Sequence, residues 1–186
     1  MQIHLIRHTT PDIDMGLCYG RTDLGLATSF DQEKQAVLAK LNADYDAIYT
    51  SPLKRCALLA KHIVSEKRFS DKRLIEYDFG DWELLPWKEF KSEEAQNWMD
   101  NFVDQPAPNG ESMIIMQKRV DEFWQELVQQ PYERVAIVTH SGVMRIIHGL
   151  ILSTPLTHLF RLQLEFGAIM EVYSVLNNSL ITVKHL

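Results

Sequence analysis

Residues 134–143 read RVAIVTHSGV. The β-branched run from Val135 to Thr139 is too continuous for a strand with one wet face, so it predicts a strand buried on both sides. It breaks into His140-Ser141-Gly142. Beyond the break, Val143, Ile146, Ile147, Leu150 and Ile151 recur with the period of an amphipathic helix over about 142–152. Strand, tight polar turn and helix form the unit from which parallel sheets are built. Ser141 reads as the helix cap and Gly142 as the residue easing a tight entry. The same turn could present free N–H groups to an anion.

The rest of the chain repeats this alternation. Ile3, Leu5 and Ile6 predict a buried strand at 2–7, ending in Arg7-His8. Val37, Leu38 and Leu41 predict a helix from about 30 to 42. DAIYTSP at 46–52 reads as a strand halted by Pro52, which cannot donate to a ladder. Leu53, Cys56, Ala60 and Ile63 then follow at helical spacing, as do Val120, Phe123, Trp124, Leu127 and Val128 further on. A short segment, RLIEYDFGDWE at 73–83, reads as the approach to another strand end, and 168–184 as two strands joined around Asn177-Asn178-Ser179. The pattern predicts an α/β fold with a mainly parallel sheet in one domain, 1–186. The stretch 81–112, with Trp82, Trp87, Trp98 and three prolines, reads as an insertion over one end of that sheet. Its tryptophans are assigned to packing.

Composition removes several classes. With 46% hydrophobic and 24% charged residues the chain is ordinary for a soluble globular protein. A net charge of -6 argues against nucleic acid as a partner, and no run is long enough to span a membrane. Two cysteines, Cys18 and Cys56, are too few for a disulfide framework, which makes a reduced, cytoplasmic protein the expectation. Neither cysteine opens a Cys-x5-Arg loop, since Leu24 and His62 stand where the arginine should. No Walker loop, H-E-x-x-H or G-x-G-x-x-G is present. His4, His62, His148, His158 and His185 lack metal-ligand spacing and are assigned structural roles, so neither metal nor cofactor is expected. Monomer and homodimer stay equally open.

Parallel sheets bind ligands beyond the carboxyl ends of their strands. Arg7-His8, Ser51 to Arg55, Glu76 and His140 fall at such ends. An arginine in the first turn of a helix opposes the helix dipole by up to about 1 kcal/mol, unless both face an anion. Two histidines, two arginines and one acid converging there would make a site for an anionic substrate.

Arg7-His8, Ser51-Pro52-Leu53-x-Arg55, Leu74-x-Glu76-x-x-Phe79-Gly80-x-Trp82-Glu83, Gly110-Glu111-Ser112 and Val138-Thr139-His140-x-Gly142-Val143-x-Arg145 occur in an order that resembles the phosphoglycerate mutase-like histidine phosphatases. Within them, Tyr19 to Leu24 and Glu76 to Glu83 look most like alpha-ribazole phosphatases. The resemblance implies a three-layer α/β/α fold and a metal-independent phosphomonoesterase acting on a small-molecule phosphate ester such as alpha-ribazole 5'-phosphate. It implies His8 as the nucleophile, Glu76 as the proton donor, and Arg7, Arg55 and, if protonated, His140 as the charge on the phosphoryl oxygens. The Gly20 and Arg21 backbone, Thr22 and Ser141 are the implied substrate contacts.

Two departures stand out. Thr9 and Thr10 replace the usual Gly-Glu after the histidine, and Asp14 stands where an asparagine is usual. A mutase that keeps its phosphoenzyme from water, and a noncatalytic phospholigand-binding protein, are the rival readings.

Overall fold

The structure is a computed structural model that describes residues 1–41, 44–174 and 181–186. Its strands are β1 (Gln2–Arg7), β2 (Ala47–Thr50), β3 (Arg68–Ser70), β4 (Arg134–Thr139), β5 (Ile169–Ser174) and β6 (Ile181–His185). Its α-helices are α1 (Phe30–Leu38), α2 (Lys54–Ala60), α3 (Glu93–Asn101), α4 (Met113–Leu127) and α5 (Ser141–Leu152). The six strands form one sheet in the order β3-β2-β4-β1-β5-β6. β1 and β2 each pair in parallel with β4, and β3 with β2. β5 is antiparallel to both β1 and β6. This is the three-layer, mainly parallel arrangement expected, closed by a C-terminal antiparallel pair. The turn assigned to Asn177-Asn178-Ser179 lies outside the described residues.

Alternation along the central strands builds two cores. Ile3, Leu5, Val135 and Ile137 pack with Val120, Phe123 and Leu127 of α4 and with Val143 and Ile147 of α5. Ile6, Ile48, Ala136 and Val138 face the other way, toward Val37 of α1 and Cys56, Leu59 and Ala60 of α2. Burying both faces of β1 and β4 removes the need for polar alternation, which explains why those strands read as unbroken apolar runs.

Three local differences separate sequence from structure. α1 ends at Leu38, and the predicted last turn continues only as tighter bonds, Lys40 N–H to the Val37 carbonyl (3.1 Å) and Leu41 to Leu38 (3.0 Å). α2 likewise stops at Ala60, with His62 and Ile63 bonding three residues back. The segment around Glu76 is not a strand end. β3 lies earlier, at exposed residues 68–70, and a short 3-10 turn (Lys72–Leu74) leads from it into an irregular run. A three-residue edge strand has no buried face to mark it in the sequence.

Candidate active site

The register of the three central strands aligns their carboxyl ends. Arg7 pairs with Thr139 and Thr50 with Val138, so His8, Ser51 and His140 leave the sheet side by side. The His8 and His140 rings lie 5.0 Å apart at 65°. His8 Nδ1 lies 2.7 Å from its neighbour's acceptor, the Thr9 carbonyl. A carbonyl can only accept, so Nδ1 carries the proton and Nε2 keeps its lone pair. Arg55 confirms this tautomer by directing its Nε–H at that lone pair, 3.3 Å away.

Arg55 is fully buried. It also donates to the carbonyls of Thr22 (2.7 Å) and Gly20. Among the described residues no carboxylate lies within 4.0 Å of it. A buried guanidinium held by neutral acceptors alone costs several kcal/mol in folding, on the order expected for an uncompensated buried ion. Arg7 sits at the wall of the same cleft, with one amino group on the Leu164 carbonyl and its guanidinium 3.9 Å over the Phe166 ring. Its buried Nε has no partner among the described residues.

The amino end of α2, expected to share an anion with Arg55, is already taken. The Lys54 N–H donates to Asp23 (2.7 Å). Ser51 stands 2.8 Å from His140 Nε2, so it orients that ring. His140 also meets Cys56, whose sulfur lies 3.5 Å from the same nitrogen. Burial, then His8 and Arg55, hold the His140 pKa well below the ordinary value. Its surroundings in the unliganded site thus favour the neutral ring, and a cationic role needs the added charge of a bound anion. His8 is held low by burial and then by Arg55.

Glu76 occupies the amino end of α5. Its Oε2 accepts from the Gly142 N–H at 3.1 Å and from the Ser141 hydroxyl at 3.4 Å, while Oε1 accepts from the Tyr77 N–H at 3.1 Å. Ser141 therefore does not cap its own helix, and its hydroxyl is engaged by the acid rather than free. A Cβ on Gly142 would overlap Glu76 Oε1, so only glycine lets the carboxylate lie against the helix end. The backbone carrying Glu76 is gripped by Arg119 of α4. Its guanidinium donates to the carbonyls of Arg73 and Ile75 (2.7 Å each) and Glu76 (3.2 Å), and pairs with the buried Glu111 at 2.6 Å. Sequence reasoning placed Glu111 in a motif without a role and passed over Arg119.

The loop expected to touch substrate does something else. The N–H groups of Gly20, Arg21 and Thr22 all point at the Glu83 carboxylate, at 3.0, 2.9 and 3.1 Å. None of the three lines the cleft; Tyr19 does. The tryptophans also divide differently from expectation. Trp82 is packing, but Trp87 and Trp98 line the cleft with Leu17, Tyr77, Phe79 and Phe160. Arg145, one helical turn beyond Ser141, faces the same cavity with its Nε bound to the Leu162 carbonyl (3.0 Å). The Thr9-Thr10 departure carries no backbone strain. Among the described residues the only non-glycine positions at positive φ are Leu84, Asn109 and Ser153, and the Thr10 N–H is taken by Glu33 (2.8 Å).

Burial of neutral histidines makes stability depend on pH. His4, His8 and His140 all have lowered folded-state pKa values, with burial the largest cause in each. In the unfolded chain each protonates near pH 6.5, while in the native state protonation is displaced to lower pH. The unfolded state thus gains protons first, and stability falls as pH drops below that value, by at most about 1.4 kcal/mol per pH unit per histidine. Calorimetric melting between about pH 7 and pH 5, above the carboxylate range, should show this fall, and His8→Asn should flatten it. A level profile would contradict neutral imidazoles.

A model of the histidine phosphatase superfamily (branch 1) matches residues 3–177. The chain belongs to that superfamily and is a phosphoric monoester hydrolase. Phosphoserine phosphatase 1 of Hydrogenobacter thermophilus is 26% identical to it over 186 residues, covering 95% of this chain and 86% of that protein. The adenosylcobalamin/alpha-ribazole phosphatase of Escherichia coli is 26% identical over 177 residues, covering 90% and 87%. Among solved structures, the alpha-ribazole phosphatase from Shigella flexneri shares the fold, with a TM-score of 0.87 at 23% identity, covering 100% of this chain and 96% of that one. No helix among the described residues is long and apolar enough to cross a membrane.

Proposed function

We propose that the protein hydrolyses phosphate monoesters through a phosphohistidine on His8, and that its substrate carries a flat, largely apolar leaving group of the alpha-ribazole 5'-phosphate kind. The observation that carries the reading is the buried Arg55, without a carboxylate partner, aimed at the free lone pair of His8. A phosphate dianion supplies the missing countercharge. Its oxygens draw Arg55 onto themselves, the long contact to Nε2 yields, and the lone pair meets phosphorus. Phosphoryl transfer depends chiefly on such positioning and charge neutralisation. Arg7 supplies the second guanidinium. His140 donates a hydrogen bond and, once the dianion is present, is drawn toward its charged form. Glu76, fixed by Gly142 and Tyr77, protonates the leaving oxygen and then takes a proton from the attacking water.

The leaving-group side of the cleft supports the substrate class. Leu17, Tyr19, Tyr77, Phe79, Trp87, Trp98 and Phe160 offer ring faces and apolar surface. A serine leaving group brings an ammonium and a carboxylate to a wall whose acid among the described residues is Glu76, already engaged by Gly142 and Tyr77. Arg145 is the feature that favours the second reading, an ester whose leaving group bears a carboxylate, as in phosphoserine.

Steady-state kinetics on both esters decide between them. On the first reading kcat/KM for alpha-ribazole 5'-phosphate exceeds that for phosphoserine by about 100-fold or more, the discrimination expected when buried polar groups are left unpaired. Preference for phosphoserine, abolished by Arg145→Gln, would establish the second.

A further inference from the structure

The carboxylate of Glu83 accepts more hydrogen bonds than the proposed catalytic acid does. Its Oε1 takes the N–H groups of Arg21 (2.9 Å) and Phe79 (3.2 Å), and its Oε2 those of Gly20 (3.0 Å) and Thr22 (3.1 Å) together with the Thr22 hydroxyl (2.5 Å). Three consecutive backbone donors turned toward one anion force the intervening carbonyls the other way, because N–H and C=O of a trans peptide point in opposite directions. The peptide linking Gly20 to Arg21 shows the consequence. Its N–H is bound by Glu83, and its C=O is bound by Arg55. The Thr22 carbonyl completes the fork at 2.7 Å from the other amino group of Arg55. Gly20 permits the approach, since a Cβ there would overlap the Tyr77 carbonyl.

We infer that Glu83 is a positioning residue for catalysis, holding Arg55 on His8 and the phosphoryl group through the peptide units of 20–22. The inference rests on the function proposed above. Glu83 does not line the cleft, so it acts on substrate only through the loop. Its negative charge polarises each peptide it binds, strengthening the Gly20 carbonyl as an acceptor for the guanidinium. The Thr22 carbonyl, in the next peptide, is placed by the anchoring of the Thr22 N–H and hydroxyl. A buried cation is thus held by an anion it never touches, and its charge stays available to a ligand. A direct carboxylate pair would have fixed Arg55 equally well but would have neutralised it.

The test is a double-mutant cycle between Glu83 and Arg55, read in kcat, KM and orthovanadate inhibition. Glu83→Gln keeps the shape but offers one acceptor oxygen and turns an amide NH2 toward the remaining donors. It should lower kcat by about 10- to 100-fold, the cost of a misplaced catalytic group, and weaken vanadate binding more than it raises KM. In an Arg55→Ala background the same change should cost less than about twofold, because nothing remains to be positioned. Should Glu83→Gln fail to fold, Thr22→Val removes one donor with little change of volume and should give a smaller loss with the same coupling. Equal losses in both backgrounds, or wild-type kcat in a folded Glu83→Gln protein, would overturn the inference while leaving the phosphatase reading intact. Full turnover by Arg55→Ala would instead remove the role proposed for Arg55 in phosphoryl transfer, and the inference with it.

Discussion

His8→Ala is expected to lower phosphatase turnover by about 10^4-fold or more, the scale seen when a nucleophile is removed from a concerted site. The protein should stay folded. His8 is buried just beyond the carboxyl end of the central strand β1, outside both apolar clusters, and its ring hydrogen bonds go to its own neighbour and to Arg55. Removing the ring takes one acceptor from Arg55, which keeps the Gly20 and Thr22 carbonyls, and takes out a buried imidazole. Neither change costs the core, so the thermal midpoint should move little. Measured turnover on p-nitrophenyl phosphate, with a melting curve from the same preparation, separates loss of chemistry from loss of fold. A folded variant with more than a tenth of wild-type turnover is incompatible with His8 as the nucleophile.

The second large effect is expected at a residue with no functional group. Gly142→Ala places a methyl group where Glu76 Oε1 lies. Either the carboxylate leaves the amino end of α5 or the helix shifts, and both break the hydrogen bond from the Gly142 N–H that fixes the acid. Loss of general acid assistance is worth about 10^2- to 10^4-fold. It should fall on esters with poor leaving groups, whose oxygen needs the proton, and largely spare activated aryl phosphates. Glu76→Gln should produce the same pattern. Comparing an alkyl with a nitrophenyl ester in both variants tests this directly. Equal losses on the two esters would place the acid elsewhere. Asp78, already paired with Arg21, is the nearest rival carboxylate.

What could be read in the sequence followed the physics of each signal. β1 and β4 were legible because burial on both faces writes itself as a nearly continuous apolar run, broken in β1 only by His4. Their polar ends were legible because a parallel sheet gathers its strand ends on one side. β3 was not, since three exposed residues carry no pattern. The placement of Glu76 was legible only as a motif. What fixes it is Arg119, reaching back 43 residues to its carbonyl, and an absent side chain at position 142. Neither leaves a local signature.

The loop at 20–22 shows a different limit. Tyr19-Gly20-Arg21-Thr22 was recognisable as a segment near the site, but which way its peptides point depends on Glu83, more than 60 residues away in sequence. Reading the segment as a substrate contact assigned it to the correct place in the fold. In the structure its Gly20 and Thr22 carbonyls accept from Arg55. Of the tryptophans of 82–98, Trp82 and Trp98 do pack in the larger apolar cluster, but Trp98 also meets the cleft, beside the more exposed Trp87. Aromatic side chains serve packing and ligand surfaces alike, and only the cleft distinguishes Trp87 and Trp98 from Trp82.

The central claim is that His8 Nε2 takes the phosphoryl group. Mixing the enzyme with excess 32P-labelled ester, quenching in alkali within milliseconds and mapping the label by mass spectrometry tests it most directly. The account predicts one acid-labile, alkali-stable phosphoryl group per chain on the peptide containing His8, formed and lost at rates that support turnover, and absent in His8→Ala. Turnover without a labelled intermediate under conditions that trap phosphohistidine, or label on another residue, would contradict it.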